Sequence, residues 1–122
     1  MIPMDSPRES IAVRTVTPVR AVDMEGVVGA SKQVPIGKQD GAPNFSVRVF
    51  TIEPDGHTPH HSHESEHINY ILQGEGELLE GDQPRPISQG NFVLIEPHEK
   101  HQFRNTGNEP CELITACTPP TF

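Results

Sequence analysis

Thirteen prolines and ten glycines are spread along the 122 residues, and that punctuation constrains the fold more than any other feature. It leaves segments of about five to eight residues, which is strand length rather than helix length. No window longer than ten residues carries apolar side chains at helical spacing. The predicted strands are Phe45–Ile52, His67–Leu72, Glu75–Glu80, Asn91–Ile95, His101–Asn105 and Cys111–Cys117, with shorter pieces at Val34–Ile36, Thr58–His63 and Arg85–Ser88. Pro54-Asp55-Gly56 reads as a turn between two of them. Short strands at such regular spacing describe an all-β sandwich or barrel. Without helices to cover its edges, a small antiparallel chain is best served by closure or by a double-sheet jelly roll.

The length suits one domain. Residues 1–20 are polar and carry three prolines, so they read as an N-terminal arm with a possible edge or dimer-swapped strand at Ile11–Val16. Residues 21–118 form the barrel and 119–122 a short tail. Only 33% of the residues are hydrophobic and there is no Trp, so the core is thin and aliphatic. The net charge of −8 argues against nucleic acid and against anionic membrane surfaces. The N-terminus has no signal-peptide pattern, and no apolar run approaches membrane-spanning length. Cys111 and Cys117 fall on one predicted strand, about 20 Å apart. That is too far for a disulfide, so free thiols and a reducing, cytoplasmic location are expected.

The seven histidines carry the chemistry. Five of them, His57, His60, His61, His63 and His67, fall within eleven residues, and His98 and His101 follow a later turn. Two positions apart on a strand, His61 and His63 share a face about 6.6 Å apart, which lets two imidazoles reach one ion. His67 reaches the same ion only if Glu64-Ser65-Glu66 turns the chain. His101 opens another strand after Pro97. The expected metal ligands are therefore His61, His63, His67 and His101. His60 has the opposite parity, and His57 and His98 sit in turns. Four neutral imidazoles leave the cation its full charge, which favours an anionic ligand. Manganese or iron suits such a set best, with zinc or nickel as alternatives.

By strand alternation Asn69, Ile71, Phe103, Leu113 and Thr115 face the same interior and form the candidate substrate pocket. Inward apolar residues of a small barrel are more often plain core. Arg48 reads equally as a surface residue or an anion anchor.

Gly56 through Gly74, with its His61-Ser62-His63 core, resembles the first motif of the cupin family. Gly90 through Asn105, with His101, resembles the second. Gly56 stands one residue nearer the histidine pair than the pattern asks, His67 fills the usual glutamate position, and Pro97 is one residue late. The four-histidine pattern is similar to small single-domain, manganese-type cupins. The resemblance implies a jelly-roll barrel of six or more strands, one metal ion inside, and a homodimer formed through N-terminal strands. It leaves the reaction open. The first expectation is a metal-dependent oxidoreductase, dioxygenase-like, on a small organic substrate. A metal-assisted isomerase or lyase on a sugar or keto acid ranks second, because the sequence places no acid or base. A non-catalytic small-molecule-binding barrel ranks third, and a structural zinc barrel last.

Overall fold

The computed structural model describes residues 27–120, together with Ile11 and Val13. The expected Ile11–Val16 edge strand and the rest of the arm lie outside the described residues. Eight strands follow in order: β1 (Val28–Ile36), β2 (Ser46–His57), β3 (Glu66–Gln73), β4 (Glu75–Glu80), β5 (Gln83–Ser88), β6 (Phe92–Ile95), β7 (His101–Arg104) and β8 (Cys111–Thr118). A single 3₁₀ turn, Lys38–Asp40, is the one helical element among the described residues. The pairs are antiparallel, in the order β5-β4-β7-β2-β8-β3-β6, with β1 added to β2. The sheet curls on itself as a jelly roll.

β2 holds the two halves of the barrel together. Its first part pairs with β8 from Ser46↔Cys117 to Ile52↔Cys111, and its last residue, His57, pairs with Arg104 of β7. The Pro54-Asp55-Gly56 stretch therefore does not reverse the chain. It lies within β2 and bends it, with Asp55 at φ 67°. Opposite it, the β1 partner shifts from Ala30↔Ile52 to Val28↔His57, so the extra residues form a large bulge. Asn105 fixes this corner. Its amide donates to the carbonyls of Ile52 (2.8 Å) and Glu109 (2.7 Å). Its backbone N–H donates to the Gly56 carbonyl at 3.0 Å. The Val34–Ile36 fragment likewise proves to be the end of a nine-residue strand, Val28–Ile36. Gly74, which joins β3 to β4, sits at φ 89°, and a Cβ there would stand 2.7 Å from the Pro110 carbonyl oxygen. Only glycine fits that position without strain.

Register sorts the interior into rows. Ser46, Cys117, His67 and Ile95 lie side by side across β2, β8, β3 and β6. Arg48, Thr115, Asn69 and Val93 form the next row, and Phe50, Leu113 and Ile71 the third. One end of the barrel is thus lined with polar groups and the other with hydrocarbon. Ile52, Ile71 and Leu113 are fully buried at the apolar end, each contributing about 1.5–3 kcal/mol. Cys111 and Cys117 are both buried on β8, with no disulfide between them. Outward residues of β3 and β6 are unusually apolar: Ile68 stands opposite Leu94, and Tyr70 opposite Phe92, which is 76% exposed.

Candidate metal centre

The histidine-bearing segment after β2 is polar, and its backbone groups find partners outside regular strand pairing. Thr58 N–H donates to the Phe103 carbonyl at 2.9 Å. His61 and His101 exchange two backbone hydrogen bonds, at 3.1 and 2.9 Å. The His98 N–H donates to the His63 carbonyl at 2.7 Å. Both histidines of the pair are therefore clipped onto the start of β7 and the turn before it. A bend at Glu64–Ser65 then turns the chain into β3, bringing His67 alongside.

These contacts gather His61, His63 and His101, whose ligand atoms lie within 4.8 Å of one another. Their ring centroids are 4.8–5.4 Å apart. The donor chemistry fits a cation. His63 Nδ1 donates to the Ser65 carbonyl at 3.1 Å, and His101 Nδ1 donates to the Glu99 carbonyl at 2.9 Å. Each bond fixes the tautomer, leaving the Nε2 lone pair for an ion. His63 Nε2 is buried and has no hydrogen-bond partner. Such an atom is costly in a closed interior unless something binds it.

Burial also keeps the rings neutral. Desolvation is the main cause for all of them. It lowers the His61 and His63 pKa values from the usual range, with further lowering from neighbouring cationic groups. His101 falls to about 4, with the Glu99 carbonyl opposing the shift. His67 falls to about 3, with Arg48 adding to desolvation. Metal binding needs neutral imidazoles, and burial favours the neutral form of all four rings.

His67 lies next to this group but is held differently. Its ring stacks on His63 with centroids 3.8 Å apart and stands 6.4 Å from His101. Nδ1 accepts from the Arg48 guanidinium at 3.2 Å, and Nε2 contacts Ser65 Oγ at 3.0 Å. The other histidines point elsewhere. His60 Nε2 bonds the Gly81 carbonyl at 2.8 Å, and His57 Nδ1 bonds the Thr58 carbonyl at 3.1 Å. His98 is exposed in its turn at φ 70°.

The site opens onto a partly open pocket of about 260 Å³. His61, His67 and His101 form part of its wall, with Thr58 and Pro59 beside them. Asn69, Phe103 and Thr115 line it too, and Thr115 Oγ1 donates to Asn69 Oδ1 at 2.7 Å. Ile71 and Leu113 do not reach it; both are wholly buried in the layer beneath. Lys32, Arg48 and Phe50 complete the wall. Sequence reading missed Lys32 because its strand was seen only in part. Its register partner, Phe50, puts it on the inner face. Pairing with Thr115 likewise puts Arg48 inside.

A cupin-domain family model matches residues 48–117, and the chain belongs to that family. L-ectoine synthase from Nocardia farcinica is 36% identical over 95 residues, covering 73% of this chain and 70% of the relative. The polyketide cyclase RemF from Streptomyces resistomycificus superposes with a TM-score of 0.74 and 26% identity, over 89% of this chain and 77% of that one. A predicted oxalate decarboxylase from Thermotoga maritima superposes with a TM-score of 0.77 over 88% of this chain and 98% of its own. Its 24% identity supports the fold alone. Against other curated relatives this chain spans about half their length, 45–54%. Among the described residues no helix is long and apolar enough to cross a membrane.

Proposed function

We propose that this cupin is a metal-dependent enzyme acting on a small organic substrate inside the barrel, by a reaction without net redox change such as ring closure, isomerisation or elimination. The observation that carries the reading is the three-histidine group, two of whose rings, His61 and His101, line a partly open pocket of about 260 Å³. That volume suits a small metabolite rather than a drug-sized molecule. A divalent cation there supplies Lewis-acid polarisation of a carbonyl or hydroxyl. His61, His63 and His101 would hold it, and we assign His67 as a fourth ligand: its ring proton moves from Nε2 to Nδ1, which releases Arg48, and Nε2 then exchanges Ser65 Oγ for the ion. Phe50, Phe103 and Pro59 exclude water from the substrate. The likeness to the polyketide cyclase and to L-ectoine synthase supports a non-redox reaction.

The dioxygenase-like oxidoreductase is the second reading. The all-imidazole donor set favours it, since manganese or iron works well in neutral nitrogen ligands. Loading the purified protein separately with manganese, iron(II) and zinc, then screening small keto acids and aromatics with an oxygen electrode, separates the two. Turnover with zinc and without oxygen uptake is expected. Turnover that stops when oxygen is removed moves the assignment to the oxidoreductase, and no turnover with any of the three metals removes the enzymatic reading.

We assign the protein to the cytoplasm, supported by two buried cysteines with no disulfide between them. Its partner is a second copy of the chain, supported by the apolar outer stripe of Ile68, Phe92 and Leu94. Light scattering is expected to give twice the 13.4 kDa chain mass. Phe92→Glu is expected to shift it to the monomer, and a monomeric wild-type protein ends the dimer assignment.

A further inference from the structure

The chain carries a formal charge of −8, yet this pocket is cationic. Lys32 and Arg48 line it, and no acidic side chain does so among the described residues. Two like charges on one wall repel each other, and an anion held between them offsets that repulsion. Register puts both there: Lys32 pairs with Phe50, and Arg48 sits two residues before Phe50 on the same face. The guanidinium is also fixed in place. It lies 4.7 Å from the centre of the Phe50 ring and donates to His67 Nδ1 at 3.2 Å. Burial lowers both pKa values, and the charge of Arg48 lowers that of Lys32 further. Arg48, lowered to about 10, stays charged at neutral pH.

We propose that Arg48, with Lys32 beside it, is the anchor for the carboxylate of a small organic acid whose other end lies at the histidine group. The inference rests on the functional reading above and names its substrate class. One imidazole, His67, separates the guanidinium from the three-histidine group, so a single small molecule spans both. The guanidinium fork matches a planar carboxylate. The apolar walls of Phe50 and Phe103 fit a carbon skeleton. A phosphate site is built differently, from a helix N-terminus or a run of backbone N–H groups. The lining has neither: the 3₁₀ turn Lys38–Asp40 contributes no residue to it.

The test is calorimetric titration of the full chain with malonate, its neutral counterpart malonamide, and inorganic phosphate, on metal-loaded and chelator-treated protein. Malonate is expected to bind both forms, more tightly with metal, and at least tenfold more tightly than malonamide. Arg48→Gln is expected to weaken malonate at least tenfold in both forms, and Lys32→Met severalfold, while metal content stays at the wild-type level. Retained metal in these variants separates failure of the anchor from failure of the metal centre. Malonamide binding wild-type protein as tightly as malonate overturns the proposal without recourse to any variant. Unchanged malonate affinity in Lys32→Met and Arg48→Gln overturns it as well, and phosphate binding tighter than malonate in the chelator-treated protein overturns the choice of a carboxylate.

Discussion

Replacing His101 by alanine is expected to lower metal affinity by more than about a hundredfold. Removing groups that merely orient a ligand costs about ten- to a hundredfold. His101 is itself a ligand candidate, with its tautomer set by the Glu99 carbonyl and its ring within 5.4 Å of both His61 and His63. His63→Ala should match it, because His63 Nε2 is the buried atom without a partner. His67→Ala should cost less, about tenfold, since that ring now bonds Arg48 and Ser65. The paired backbone hydrogen bonds between His61 and His101 need no imidazole, so the variants should keep the wild-type far-UV spectrum. Metal content after dialysis and titration with a competing chelator provides the measurement. Wild-type affinity in His101→Ala would remove the centre as drawn, and wild-type affinity in His67→Ala would leave His67 solely as the partner of Arg48.

The second large effect is acid sensitivity of the metal-free barrel. An ordinary imidazole titrates near 6.5, whereas folding holds His101 near 4 and His67 near 3. Between those values the unfolded chain binds protons that the folded chain refuses, so stability rises with pH across this window. Above about pH 6.5 neither state is protonated at these rings and the effect is absent. Below it, each ring removes up to about 1.4 kcal/mol per pH unit. Between about pH 6.5 and 5 the carboxylates are still ionised, so the slope belongs to histidine. Thermal melts over that range should show a midpoint that falls steadily as pH drops, and a His67→Gln/His101→Gln double variant should flatten the fall. An equal slope in that variant would show that these rings are not held neutral by the fold.

Much of this architecture is legible in the sequence, for identifiable reasons. Glu75–Glu80 is bounded by Gly74 and Gly81, and the strand occupies that interval residue for residue. The alternation in His67–Leu72 and Cys111–Cys117 gives the inner faces, because half-buried strands must alternate. The Pro54-Asp55-Gly56 signal misleads because a bulge and a turn demand the same residues, and only the pairing of Asn105 with this corner tells them apart. β1 is nearly invisible because its sequence, VGASKQVPI, alternates weakly and contains both Gly and Pro. With β1 goes Lys32, half of the cationic wall. The histidine cluster is legible because its spacing is unusual, whereas the way His67 is held depends on Arg48, nineteen residues away in the chain.

The backbone clasp between His61 and His101 bears on the order in which this protein assembles. Hydrogen bonds of the main chain tie those two segments together without using an imidazole, so the clasp does not need an ion to close. A zinc finger, by contrast, collapses when stripped. A cation bound at this site would add stability in proportion to the logarithm of its concentration over the dissociation constant. On the proposed function, metal supply would then toggle activity while the barrel stays folded.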